Sequence, residues 1–398
     1  RWIEAFEPWF AKQGASVQER RTAVIKALEG MRLEFPKEVE VSFWLVLMQW
    51  ENVAGRGDVA EVEKWDKLLG EVLNAAPNHP GALLLRVLIW EKLNVTHAEK
   101  SLTACVNSGI KSPIFLELAA HGLVKSGNLK EGVGMREASA RKALTWLNKI
   151  GGMPDELQGY AANSNEWVLG LRKEGRVKEA IEIAMRMKDL PQVAPVLGVL
   201  GEQETVQMVS SHRNGVRQLF EVCREYELWE QVLEWEEKSY FGKQKFVEDE
   251  AKRLSVLVMA QVELGWIEQG EQTLAELEGL VKRVKWERFE AADKAEEEAK
   301  KIGKTIEEAQ RAALEALTLH SEKVSEVEME VAAAKAIVAI GKGNIASGVA
   351  ALRGAQRMPA TWRARIELKV GNWAEAVKIS KESLVFERAQ VSCLEVLV

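Results

Sequence analysis

The sequence is poor in the residues that reactive chemistry needs. Its 398 residues include three cysteines, five histidines and three tyrosines. Cys105, Cys223 and Cys393 lie far apart and form no CxxC pair, which argues against a disulfide scaffold or a zinc finger. His79, His97, His121, His212 and His320 are isolated, with no HExxH and no His/Cys pair at ligand spacing, so neither metal nor cofactor is expected. Gly132-Val-Gly134 and Gly341-Lys-Gly343 follow helical patterns rather than strands, and no GxxxxGK[ST] occurs, so no phosphate loop is read there. Charge of one sign is not in excess either. Fifty-four Lys and Arg stand against 60 Asp and Glu, a net charge of −6, which argues against a nucleic-acid partner.

Long apolar runs are missing as well. Phe43–Met48 and Ala82–Trp90 fall short of the ~18–20 residues of a membrane span and read as buried helix faces. A soluble protein is expected, cytoplasmic or periplasmic, with the compartment open. Residue 1 is Arg, so the chain is read as a piece of something longer. Period-two alternation and Asn-Gly hairpins are nearly absent, which leaves an all-α chain.

What is present is a repeat. There are only nine prolines, and five of them, Pro36, Pro77, Pro113, Pro154 and Pro191, follow one another at 41, 36, 41 and 37 residues. Proline breaks a helix interior, so regular prolines mark regular helix boundaries. A second marker recurs among them: a glycine, four residues, then a small or compact apolar residue. It occurs as Gly57…Val62, Gly127…Gly132, Gly175…Ala180, Gly265…Gly270, Gly343…Gly348 and Gly371…Ala376. Glycine takes the left-handed helix cap cheaply, and the small residue lets the next helix pack closely. Val177, Ala180, Ile181, Ala184 and Met185 then form one apolar face at helical spacing.

Gly175-Arg-Val-Lys-Glu-Ala180 and Gly371-Asn-Trp-Ala-Glu-Ala376 resemble the turn and second-helix start of the tetratricopeptide repeat (TPR). The resemblance covers roughly residues 40–200 and 340–390. It implies a right-handed α-α superhelix, a solenoid of stacked antiparallel helix pairs. Residues 268–340 break the rhythm. Lys282 to Arg311 is rich in mixed charge and alanine, Gly303 interrupts it, and Thr305 with Glu308 forms a capping-box pattern. One long protruding helical hairpin with its tip near Gly303 is expected. The resulting division is 1–267 as a repeat array, 268–340 as the hairpin and 341–398 as C-terminal repeats. The hairpin reads as a solvated spacer, a partner-binding arm or a self-associating coiled coil. With Gly371-Asn-Trp-Ala-Glu-Ala-Val it is also similar to the helical part of large planctomycete-type multidomain proteins.

The fourteen tryptophans raise a helical toroid glycosidase as an alternative, since sugar sites use aromatic platforms beside paired carboxylates. Trp65, Trp90, Trp167, Trp229, Trp235 and Trp373 nevertheless fall in helical stripes beside Leu and Val, and the joints are short. Trp2, Trp9, Trp44 and Trp50 near the start read as cap packing or as a joint to an upstream domain. The expectation is a non-catalytic protein–protein interaction scaffold that takes proteins or peptide segments. A self-assembling, membrane-coat-like solenoid is the rival, and it would meet membrane only indirectly. The binding face is placed on the first helices, in Leu83–Lys92 and Phe115–Lys125, with Arg86, Trp90, His121 and Lys125 as the candidate contacts.

Overall fold

The computed structural model describes residues 1–11, 16–53, 57–91, 93–125, 127–191, 210–354 and 360–386. Among them the regular structure is helical and strands are absent, so the fold is all-α, with consecutive helices packed as neighbours. Two compact units are formed, Arg1–Lys149 and Ile150–Val398.

The first unit contains α1 (Trp2–Ala11), α2 (Val17–Glu34), α3 (Val39–Asn52), α4 (Val59–Ala75), α5 (Pro80–Trp90), α6 (Val95–Asn107), α7 (Pro113–Lys125) and α8 (Leu129–Ile150). Local chemistry sets several starts. Ser16 with Glu19 and Asp58 with Glu61 close reciprocal capping boxes at α2 and α4. Pro80 opens α5, and His79 caps it by accepting the Ala82 amide on Nδ1 at 3.0 Å. That contact leaves Nε2 to donate to Glu40, 3.1 Å away. One core joins α1 to α3 through Val24, Leu28, Val41 and Leu45, with Trp9 and Trp44 packed on it. A second joins α3 to α6 through Trp65, Leu69, Leu85 and Trp90.

The second unit contains α9 (Gln158–Lys173), α10 (Val177–Asp189), α11 (Ser211–Glu225), α12 (Trp229–Glu237), α13 (Val247–Glu263), α14 (Ile267–Lys301), α15 (Ile306–Leu319), α16 (Ser321–Gly341), α17 (Ile345–Gly354), α18 (Ala360–Lys369) and α19 (Trp373–Phe386). The five prolines all lie at helix boundaries, as their spacing predicts.

Five joints share one construction. Gly127, Gly175, Gly265, Gly343 and Gly371 have φ between +72° and +88°. The next residue's amide reaches back to a carbonyl five positions earlier, as in Arg176 to Leu171 at 2.9 Å and Asn372 to Glu367 at 2.8 Å. The small residue then packs on the preceding helix. A Cβ on Gly132 would come within 2.6 Å of Val124, and one on Gly348 within 2.5 Å of Ile340. Ala180 and Ala376 are fully buried. Gly57 departs from the pattern: its φ is not left-handed, and its place is set by the Trp65 ring, 2.5 Å from where a Cβ would stand. The α11–α12 joint has the same hydrogen bonds, Leu228 to Cys223 and Val232 to Leu228, but Glu227 occupies the left-handed position at φ +52°.

The charged segment forms helices as expected, with one difference. α14 runs 35 residues, Gly303 turns the chain at φ +79°, and Thr305 with Glu308 caps α15. Ala292, Ala299 and Ala309 make its buried seam. The return arm is broken at His320, between α15 and α16. There the Leu317 carbonyl accepts from Ser321 Oγ at 2.7 Å and from Arg288 Nε of α14 at 3.0 Å. Side chains entering the ladder in this way interrupt a helix.

Candidate functional site

Three stripes in the first unit face one open groove. α2 contributes Thr22, Ile25, Glu29, Arg32 and Leu33. α3 lays Leu45, Gln49, Asn52 and Val53 along the floor, and α4 supplies Glu61, Lys64, Trp65, Lys67, Leu68 and Glu71. The helices α2 and α4 both pack on α3, which leaves the α3 surface between them as the floor. The groove holds ≈ 760 Å³. The α4 stripe from Glu61 to Glu71, ten rises of 1.5 Å, runs about 15 Å. Trp65 is fixed in the floor by its Nε1, which donates to Gln49 at 3.0 Å. Arg32 and Glu71 meet at 3.2 Å and tie one wall to the other.

Acidic and basic side chains are equal in number around the groove, but their engagement is not. Glu71 is spent on Arg32, and Glu61 accepts the Asp58 amide at the positive end of α4. Lys64 and Lys67 are exposed, one turn apart on the α4 wall, and pair with no described residue. Glu29 stands alone on the α2 wall. At the floor's end the Asn52 Oδ1 is buried with no hydrogen-bond partner among the described residues.

A smaller cleft of ≈ 340 Å³ lies on the other flank of α4, lined by Asp66, Leu83, Arg86, His97, Lys100 and Ser101 among others. Two sequence-predicted residues meet here. Arg86 donates from Nε and Nη2 to both oxygens of Asp66, at 2.6 and 2.8 Å, and Trp90 Nε1 donates to Asp66 Oδ1 at 3.0 Å. His97 stacks on Trp90 with ring centres 4.7 Å apart. Burial pushes the Asp66 carboxyl up, but the hydrogen bonds from Arg86 and Trp90 and the Arg86 charge outweigh it and hold the carboxyl below its ordinary range. His121 lies next along, with Nε2 2.8 Å from Glu91. The Lys125 side chain lies outside the described residues.

The second unit buries a network of charges that the sequence did not suggest. Arg213 pairs with Asp249 and, at 2.7 Å, with Glu248, while Arg217 shares Asp249. Arg224 reaches Glu330 at 3.1 Å and Glu221 at 2.7 Å, and Lys252 also pairs with Glu221. Glu330 is fully buried. Burial works against the Glu221 charge, yet the surrounding Arg224, Lys252 and Arg172 hold its carboxyl well below the ordinary value. Every charge in this set has an internal partner, so it reads as a scaffold element. Cys105 and Cys223 are buried, and burial pushes their thiols up to about 11 and about 12. They behave as small apolar side chains. Trp65, Trp90, Trp229 and Trp235 are buried, as their stripes predict, whereas Trp373 is 67% exposed.

The groove is not apparent from the sequence pattern. The available signal was a second apolar row on α2: Ile25 and Leu33 fall beside the buried row Val24, Leu28 and Met31. Leu33 is 86% exposed.

No known protein family's sequence profile matches the chain, and no curated protein matches it. Among solved structures, the crystal structure of the yeast Tom70 matches at 14% identity, covering 95% of this chain and 91% of that one, with a TM-score of 0.22. A likeness at that level leaves the fold resting on the helices themselves. No described helix is long and apolar enough to cross a membrane.

Proposed function

We propose that the chain is a non-catalytic protein-interaction scaffold built from TPR-like helix pairs. The observation that carries this reading is the groove over α3: half-buried Ile25, Val53 and Leu68 line it above the buried Leu45 and Trp65, with exposed Leu33 at its edge. Monomeric surfaces seldom leave apolar side chains gathered in a recess unless something covers them. Its length matches a helical or extended segment of a partner rather than a small metabolite.

Arg86, Trp90, His121 and Lys125 on α5 and α7 form a proposed second contact region. Arg86 and His121 are partly exposed there, and buried Trp90 donates to the same Asp66 that holds Arg86. Residues 268–340 are proposed as an insertion within the repeats. Self-assembly is a second reading, favoured by Trp286 and Phe289, which stand 62% and 60% exposed one turn apart on α14.

Affinity capture with a groove-blocked variant, Leu33→Arg with Thr22→Trp, separates these readings. A foreign partner held by the wild type and lost by this variant supports the scaffold. Capture of the chain's own copies, equal for both proteins and lost with Trp286→Ser, contradicts it in favour of self-assembly.

A further inference from the structure

The solvent side of α14 carries a row of side chains that the fold does not use. Gly279, Lys282, Trp286, Phe289, Asp293 and Glu296 recur at alternating steps of three and four residues, the a/d spacing of a coiled coil. The row lies opposite the buried Leu277, Val284, Ala292 and Ala299 of the same helix. Its first five members are exposed, Trp286 by 62% and Phe289 by 60%. The charges on and beside the row fall into two sets. Arg283 bonds Glu287, Lys285 bonds Glu328 and Glu296 bonds Lys300, all within the chain. Lys282, Glu290 and Asp293 pair with no described residue. Lys282 and Asp293 stand about 16 Å apart along the helix, too far to meet in one chain.

We infer that a second copy of the chain covers this row, with its α14 antiparallel to the first. One register satisfies the centre of the row. With a two-fold axis between Glu287 and Arg288, Trp286 packs on the partner's Phe289 and Lys282 meets the partner's Asp293, each contact occurring twice. Beside the row Arg283 comes opposite the partner's Glu290, and Gly279 leaves room for the partner's Glu296. A parallel pair would set Lys282 against Lys282 and Asp293 against Asp293, so the charges select the antiparallel arrangement. A like-charged pair, Glu276 with the partner's Glu297, falls at the ends of the seam, where Lys301 stands 3.6 Å from Glu297. The four aromatic side chains bury about 400–600 Å² between them. That is short of the ~1,000 Å² of a lasting interface, so the dimer is weak and depends on concentration. This rests on the self-assembly reading and deepens it. It uses no residue of the groove, so a foreign partner and the dimer can coexist. Only own copies captured without a foreign partner count against the scaffold.

Sedimentation equilibrium of the full chain, from about 1 to about 300 μM, tests the seam. A monomer–dimer equilibrium with Kd of about 10–100 μM is expected. Lys282→Asp or Asp293→Lys alone is expected to weaken it about tenfold, because two attractive pairs become repulsive. Lys282→Asp/Asp293→Lys re-forms both pairs in the antiparallel register and is expected to regain the wild-type Kd. Trp286→Ser removes both ring contacts and is expected to leave monomer at every concentration. Dimerisation unchanged in Trp286→Ser, or a double swap no tighter than the single variants, overturns the seam while self-assembly through another surface stands. A wild-type chain that stays monomeric throughout overturns both. The substituted side chains are exposed, and an unchanged thermal transition confirms that each variant is folded.

Discussion

Arg86 of α5 grips both oxygens of Asp66 of α4, at 2.6 and 2.8 Å, so α4 is braced on the flank opposite its groove stripe. Asp66 also accepts from Trp90. Asp66→Ala strands two donors and is expected to cost the first unit about 1–3 kcal/mol. Adding Arg86→Ala to that variant recovers part of the loss. A double-mutant cycle on the unit's urea transition reads the coupling, and additive losses would show that the pair does not brace the helix. The Asp66 carboxyl sits below its ordinary value in the fold, so its contribution is complete above about pH 4 and fades as the pH falls further.

The Arg224–Glu330 pair joins positions 106 residues apart inside the second unit. Glu330→Ala leaves a buried arginine with one carboxylate fewer, an expected loss of about 3–5 kcal/mol. Replacing both partners with apolar residues is expected to cost much less. The Glu221 carboxyl, held well below its ordinary 4.5, makes this unit acid-sensitive. Its stabilisation is fully present above that value and is lost as the pH drops below it. A pH titration of near-ultraviolet circular dichroism checks the sign, and unfolding that begins only on the alkaline side contradicts it.

The joints give a sharper prediction. Gly175→Ala or Gly371→Ala forces a side chain into left-handed backbone, an expected cost of roughly 1–2 kcal/mol. Glu227→Gly relieves that cost but loses the Lys369 contact at 3.3 Å and stiffness in the unfolded chain, so it is expected to be near neutral. Thermal midpoints decide between them. A large loss for Glu227→Gly would mean that the joint needs the glutamate itself.

Above Arg288, α14 meets α15 along an alanine seam. Shortening the hairpin between Lys285 and Ala312 is therefore expected to leave the remaining helices folded, with an unchanged main melting transition. Collapse of that transition would show that the charged helices support the array.

The repeat was legible because five of its joints use residues with few substitutes: only glycine takes φ near +80° freely, and a Gly or Ala lies close against the preceding helix at each of the five. Where Glu227 fills the glycine position, the marker vanished although the joint persisted. Buried charge was not legible, since Glu248-Asp249-Glu250 at a helix start looks like a solvated first turn until α11 supplies its arginines. The groove was equally hidden, since Ile25 and Leu33 gain their meaning only once α3 and α4 supply the rest of the lining.

In the proposed function a partner sits in the α3 groove. A photo-crosslinking residue placed at Leu33 or at Lys64, with Trp373 as the exposed control, tests it in lysate of the source cells. The prediction is one discrete foreign adduct from both groove positions and none from position 373. Adducts from position 373 alone, or only of the chain with itself, would contradict the claim.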